Sequence, residues 1–365
     1  MENPAKNALL NLLTFWRKST NFKDQLGLKS SSKWGDFMTN LTFEWQIDEF
    51  MVYCQSKRLR PKSMQSYEQA LRLFAKWCGD ERHIETVDKV KETDIRHYIA
   101  DVQKRGKYTV YVSDNQKQTN CPERRRDFRQ QVSIGTINNY IRNLKVFFNW
   151  LDEGFMLQKN PMQNVKQYKN KHKPKEFLSD ESFKKLITSL DKSYFSEHRD
   201  FAMIVLLFDT GMRVGECSRL LVSDLDLYGH KIFLREEETK GRQDRTVYFS
   251  QKTERVLRRW LQFKDRYTET DYVFPSRRDG SHVAVTGFES NFTRYLNRFG
   301  IPEKVSPHCL RNNFAKRCLM NGMDIYTLSK ILGHSSVTVT EEAYLDLTDE
   351  DFCMRYQSFS PMAKM

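Results

Sequence analysis

Between Thr42 and Leu151 the apolar residues fall at three- and four-residue intervals and hardly ever alternate. Phe43, Ile47, Phe50 and Cys54 form one such series behind a candidate cap at Thr42, and Tyr67, Leu71, Phe74 and Cys78 form a second. A third runs through Ile95, Ile99 and Val102, and a fourth through Ile137, Tyr140, Ile141, Leu144, Phe147, Phe148 and Leu151. A 3.6-residue helix puts each series on one face, whereas a half-buried strand needs a period of two. The spacing therefore predicts an all-helical domain here and leaves no room for a sheet.

The second half of the chain reads differently. Ser179 is placed to cap a helix carrying Phe183, Leu186, Ile187 and Leu190, and Phe201 to Phe208 is apolar enough for a buried helix. KIFL at 231–234 and RTVYF at 245–249 have strand character on either side of a polar turn with Gly241 near its tip. Helical periodicity returns over 253–263, 288–299, 308–320 and 324–332. The expected fold is mainly α with a small β-sheet, and 365 residues suit two domains. Their expected bounds are 41–165 for the helical domain, 166–176 for a basic linker and 177–365 for the mixed domain. Residues 1–40 are an extension of unassigned role with one short helix candidate from Ala8 to Trp16.

A formal net charge of +13 favours a polyanionic partner. The linker is the densest stretch: Lys166, Lys169, Lys171, Lys173 and Lys175 alternate with polar residues, as suits either an extended segment along a phosphate backbone or a solvated tether. No apolar run reaches the roughly 18 to 20 residues of a membrane span, and the start breaks into charge too soon for a signal peptide. A cytoplasmic protein is expected. The seven cysteines are scattered without a CxxC pair, which argues against a disulfide framework or a zinc site and for reduced thiols that are mostly core filler.

Four segments carry residues of chemical interest: TGMRVGE, TKGRQDR, HCLRNNFA and LGHSSVTVTEEAY. Taken singly, each has an ordinary reading. Arg213 can pair with Glu216 three residues on, Lys240 can be an exposed turn lysine, His308 and Arg311 can be packing and surface, and Tyr344 can be an aromatic anchor. Together and in this order they resemble the tyrosine recombinase family, also called the phage integrase family. The region before them looks like that family's core-binding domain.

The resemblance implies a two-domain clamp around double-stranded DNA that exchanges strands through a 3′-phosphotyrosine, with no metal and no cofactor. Tyr344 matches the nucleophile; Tyr326 and Tyr356 fit the motif less well. A phenol with a pKa near 10 is only about 0.1% ionised at pH 7, so it needs activation. Arg213 and Arg311 match the two phosphate-binding arginines, His308 the proton-transfer histidine and His334 a phosphate hydrogen-bond donor. Lys240 matches the acid for the leaving 5′ oxygen, Glu216 a supporting acidic position, and Arg242 and Arg245 are expected DNA contacts. Two departures stand out: Asn312 replaces a common second histidine, and Tyr344 follows His334 by ten residues, one more than is usual. The tail from about 346, with Phe352, Met354, Tyr356 and Phe359, is expected to be exchanged between protomers of a DNA-bound homo-tetramer. A topoisomerase-like nicking-closing enzyme and a non-catalytic DNA-binding protein of the same fold are the alternatives. Within the family, the extension and the basic insertion after Lys104 point to integrases of mobile elements.

Overall fold

A computed structural model describes residues 41–111, 121–154, 156–169, 177–235, 244–334, 336–344, 353, 356 and 360. The Ala8–Trp16 helix candidate, Lys171, Lys173, Lys175, Lys240, Gly241, Arg242 and most of the tail lie outside these residues. The chain divides into two units, Met1–Lys171 and His172–Met365.

In the first unit the predicted series become α1 (Phe43–Ser56), α2 (Pro61–Arg82), α3 (Glu92–Arg105) and α4 (Ile134–Glu153). Thr42 holds the N-cap position of α1 without a side-chain cap hydrogen bond. Pro61 opens α2, where its missing N–H costs nothing. Ser133 caps α4 by accepting from the Thr136 N–H. The core is unusually aromatic: Phe50 meets Phe147 edge-on at 5.4 Å, and Phe74 meets Tyr98 at 5.0 Å.

The second unit begins with α5 (Asp180–Ser189), capped by Ser179, and α6 (Phe195–Thr210), most of which is buried. A short helix α7 (Val214–Ser218) follows, then a three-stranded antiparallel sheet in the order β1 (Leu225–Asp226), β2 (Lys231–Leu234), β3 (Arg245–Tyr248). Ile232 opposite Val247 turns the inner face of the sheet into the core. Beyond it come α8 (Gln251–Lys264), α9 (Val285–Arg298), α10 (His308–Met320), α11 (Ile325–Leu332) and α12 (Val337–Tyr344). The Trp260 indole N–H donates to the Val273 carbonyl at 2.7 Å, so that the largest buried side chain brings its polar edge in satisfied. Asn313 stitches α10 to the start of the unit, donating to the Leu178 carbonyl at 2.6 Å and accepting from its N–H at 3.0 Å. The fold is mainly α with one small sheet, as the periodicities require.

Candidate active site

Arg213 is placed by a sharp exit from α6. Gly211 ends that helix with φ +64, and a β-carbon there would run into the Phe314 ring. Arg213 then becomes the N-cap of α7, and Glu216 closes the turn. The Arg213 N–H donates to Glu216 Oε2 at 2.8 Å and the guanidinium donates to Oε1 at 2.9 Å. The ordinary reading of this pair is thus realised, and it is also what fixes the arginine's aim.

Glu216 has a second cation. Arg245, at the start of β3, donates to Oε2 at 2.6 Å and to Oε1 at 3.1 Å. Glu216 is buried and the Arg245 side chain nearly so, with exposures of 2% and 9%. Burial alone would raise the carboxyl's pKa. The Arg245 bonds and charge, joined by the N–H and charge of Arg213, overcome that and hold it below the ordinary carboxylate value.

The last carbonyls of α11 gather the arginines. The Ile331 carbonyl accepts from Arg245 at 3.2 Å, the Leu332 carbonyl from Arg311 at 2.8 Å, and the Gly333 carbonyl from Arg213 at 3.4 Å. Terminal carbonyls of a helix lack intrahelical partners and carry the negative end of its dipole, so three successive ones suit three guanidiniums. Gly333 is required there. It ends α11 in the left-handed conformation, φ +66, and a β-carbon would stand 2.8 Å from Arg245 Cδ. Arg311 also reaches the Gly211 carbonyl at 2.8 Å, tying α10 to the turn that carries Arg213.

Arg311 Nη2 lies 2.8 Å from His334 Nε2. A guanidinium only donates, so Nε2 accepts and the ring proton sits on Nδ1. From there it donates to Thr340 Oγ1 at 2.7 Å. Thr340 is buried on α12, four residues before Tyr344, the last residue of that helix. His308, exposed at the first position of α10, is three residues before Arg311 on the same helix. Arg213, Arg311 and His334 therefore share one turn of backbone although they are 121 residues apart in sequence from first to last.

Comparison with known proteins decides the family. A sequence model described as the phage integrase family matches residues 176–351, and one for the phage integrase N-terminal SAM-like domain matches residues 47–112. The chain belongs to the phage integrase family. Tyrosine recombinase XerC of Oceanobacillus iheyensis is 26% identical to this integrase-family chain over 327 residues, covering 88% of it and 97% of the relative. A tyrosine recombinase of Thermosipho africanus is 28% identical over 277 residues, 73% of this chain and 92% of the relative. Among solved structures, the Tn1549 transposon integrase in complex with a circular intermediate DNA superposes with a TM-score of 0.67 at 17% identity, covering 87% of this chain and 100% of that one. A lambda integrase dimer bound to a COC′ core site gives 0.62 at 14% identity, with 95% and 88% covered. These two share the fold. The protein is a tyrosine recombinase, an enzyme that cleaves and rejoins DNA strands.

For this recombinase the structure corrects one expectation. Arg245 is not a surface cation awaiting DNA: its guanidinium is spent on Glu216 and the Ile331 carbonyl, inside the protein. Lys166 and Lys169 are exposed. Asn312 is buried. Of the cysteines, Cys54, Cys78, Cys217 and Cys309 are buried, Cys318 is half-buried, and Cys121 and Cys353 are exposed. Sequence reasoning missed Thr340 and Asn313, whose neighbours in space are distant or local polar atoms that no periodicity marks. Gly333 did carry a signal, a glycine directly after a helix pattern.

Proposed function

We propose that this chain is a site-specific DNA recombinase that integrates or excises a mobile element, acting as a homo-tetramer on double-stranded DNA in the bacterial cytoplasm. The observation that carries the reading is the convergence of Arg213 and Arg311 on the Leu332–His334 backbone, with Arg245 and Glu216 behind them. These four charged side chains are three guanidiniums and one carboxylate, two of the guanidiniums bonded to it, which leaves the group net positive. Such a group favours a phosphate and, more strongly, the doubly charged pentacovalent state that forms when a phosphodiester is attacked.

In this reading Tyr344 Oη attacks the scissile phosphorus and its proton passes to His308. The P–O5′ bond breaks as the Oη–P bond forms, and Lys240 supplies the proton that the departing 5′ oxygen takes up. The product is a 3′-phosphotyrosine and a free 5′ hydroxyl, so the bond energy is kept and the reverse attack can reseal a new partner strand. Lys166 and Lys169, with Lys171, Lys173 and Lys175, and the loop cation Arg242 track the phosphate backbone and contribute affinity without sequence choice. The integrase relatives of transposons and phages support the mobile-element role.

The test is to trap the covalent adduct. The protein is incubated in EDTA with nicked duplexes drawn from the ends of its own element, and the product is run on a denaturing gel and mapped by peptide analysis. An adduct on Tyr344 that is lost in Tyr344→Phe, with DNA binding retained, is expected. An adduct on another residue moves the nucleophile, and salt-sensitive binding with no adduct on any end sequence favours a non-catalytic DNA-binding role.

A further inference from the structure

We propose that the basic insertion after Lys104 is a built phosphate-gripping arm, which holds the duplex backbone through Arg124, Arg126 and Arg129. The proposal adds a surface outside the active site and rests on the reading of the chain as an enzyme of double-stranded DNA.

The arm begins where α3 ends. Gly106 leaves that helix at φ +78, and a β-carbon there would stand 2.5 Å from the Arg129 carbonyl oxygen, so the base of the arm closes only over a glycine. A pair of backbone hydrogen bonds stitches that base. The Lys107 N–H donates to the Gln130 carbonyl at 3.0 Å, and the Arg129 N–H donates to the Lys107 carbonyl at 3.1 Å. Asp127 adds charge to the seam, 3.6 Å from Lys107 and 3.2 Å from Arg125. The Arg125 guanidinium lies over the Tyr108 ring, 4.3 Å from its centroid. The Gln130 side-chain amide donates to the Arg126 carbonyl at 3.0 Å. A run of basic residues that served only as a solvated loop would need none of this fixation.

The cations of the arm fall into two sets. Arg105, Lys107 and Arg125 face carboxylates of the same unit, Asp101 and Asp127. Arg124, Arg126 and Arg129 are exposed and make no ion pair among the described residues, with Arg129 lying against the Phe128 ring at 5.3 Å. Glu123 is the one exposed carboxylate of residues 121–130. The buried side of the arm thus absorbs Asp127 in its own construction and leaves three guanidiniums outward within residues 124–129. Guanidiniums held this close repel one another until an anion lies between them, and their fork matches phosphate oxygens. A duplex supplies such anions in a row, and this family cleaves and rejoins DNA. Contacts of this kind carry no sequence choice, so the arm contributes affinity and register.

The test maps the phosphates. Full-length protein is bound to duplexes from the ends of its own element, ethylated at random phosphates, and the positions whose ethylation blocks binding are compared between wild type and the triple variant Arg124→Gln, Arg126→Gln, Arg129→Gln. The variant is expected to lose one to three discrete positions that the corresponding triple lysine variant keeps. Its log–log salt slope falls by about 0.9 for each position lost, on these duplexes and on one of unrelated sequence. Single Arg126→Gln serves if the triple variant does not fold. Gly106→Ala, which keeps every charge but displaces the base of the arm, is expected to lose the same positions. Weaker binding with every position retained overturns the proposal, because the cations then act only at a distance, and so does an unchanged map in Gly106→Ala. Failure of the arm leaves the wild-type map and the Tyr344 adduct intact, whereas a wild type that binds no duplex in a salt-sensitive way overturns the DNA reading together with the arm.

Discussion

Replacing Arg245 by Met isolates the buried anchor. The change keeps much of the side chain's length and apolar bulk but removes the charge and the bonds to Glu216 and the Ile331 carbonyl. Removing one partner of a buried ion pair typically costs about 3 to 5 kcal/mol, because the other charge stays buried without it. Here Glu216 keeps the Arg213 guanidinium at 2.9 Å and the Arg213 N–H at 2.8 Å, which brings the expected loss to or just below the bottom of that range, about 2 to 3 kcal/mol. Making the carboxylate neutral should recover part of it, so Arg245→Met in a Glu216→Gln background should cost less by about 1 to 2 kcal/mol. The assay is the four-protein cycle in urea, followed by hydrogen exchange of peptides from α6 and α10 so that the second unit is read apart from the first. A loss under about 0.5 kcal/mol for Arg245→Met, or two substitutions that simply add, would refute a shared buried node.

Three further outcomes are expected. The Glu216 carboxyl is held below its ordinary value of 4.5, so its contribution to stability is complete above that value and is lost as the pH falls from there toward the lowered one. Thermal melts between pH 7 and pH 3 should therefore show a shallower acid limb in Glu216→Gln than in wild type, and parallel limbs would count against the shift. In native protein a colourless-to-yellow disulfide reagent should react quickly at Cys121 and Cys353 and slowly at Cys54, whose thiol burial pushes up to about 11, and at fully buried Cys217; labelling mapped by mass spectrometry checks this. Lys166→Ala with Lys169→Ala should weaken binding equally on all DNA sequences and flatten the log–log salt dependence by about 0.9 for each phosphate no longer neutralised. An unchanged slope would return these lysines to the role of a solvated tether.

How far the sequence could be read depended on the kind of information involved. Helices buried along one face declared themselves, and α10 was expected at 308–320, the bounds it has. The strands at 231–234 and 245–248 were marked by β-branched and aromatic residues around a polar turn. What periodicity could not convey was the destination of a polar side chain. Arg245 looks like Arg242 in sequence, two basic residues of one turn, yet its neighbour in space is a carboxylate 29 residues earlier. Thr340 sits in a run of threonines and valines where nothing local distinguishes it from Thr338. The two-residue strand β1 and the five-residue α7 were too short to leave a period at all. Motif order located the arginines and the histidines, and only the folded backbone could say what orients them.

Three adjoining peptide units where α11 ends set how far apart the site's arginines are held, and the repeat of a peptide chain, about 3.8 Å between α-carbons, is the same whatever side chains it bears. The spacing is therefore written in main chain and is insulated from most mutation. Residue 331, only partly buried, can vary and residue 332 can drift among apolar types that still fill the core, and the arginines will remain at their stations. The vulnerable changes are those that alter the path of the backbone: a proline in this last turn, an insertion between Ile331 and His334, or any side chain at Gly333. A library randomised over 331–334 and selected for recombination should accordingly return variety at the first two positions and near uniformity at the third.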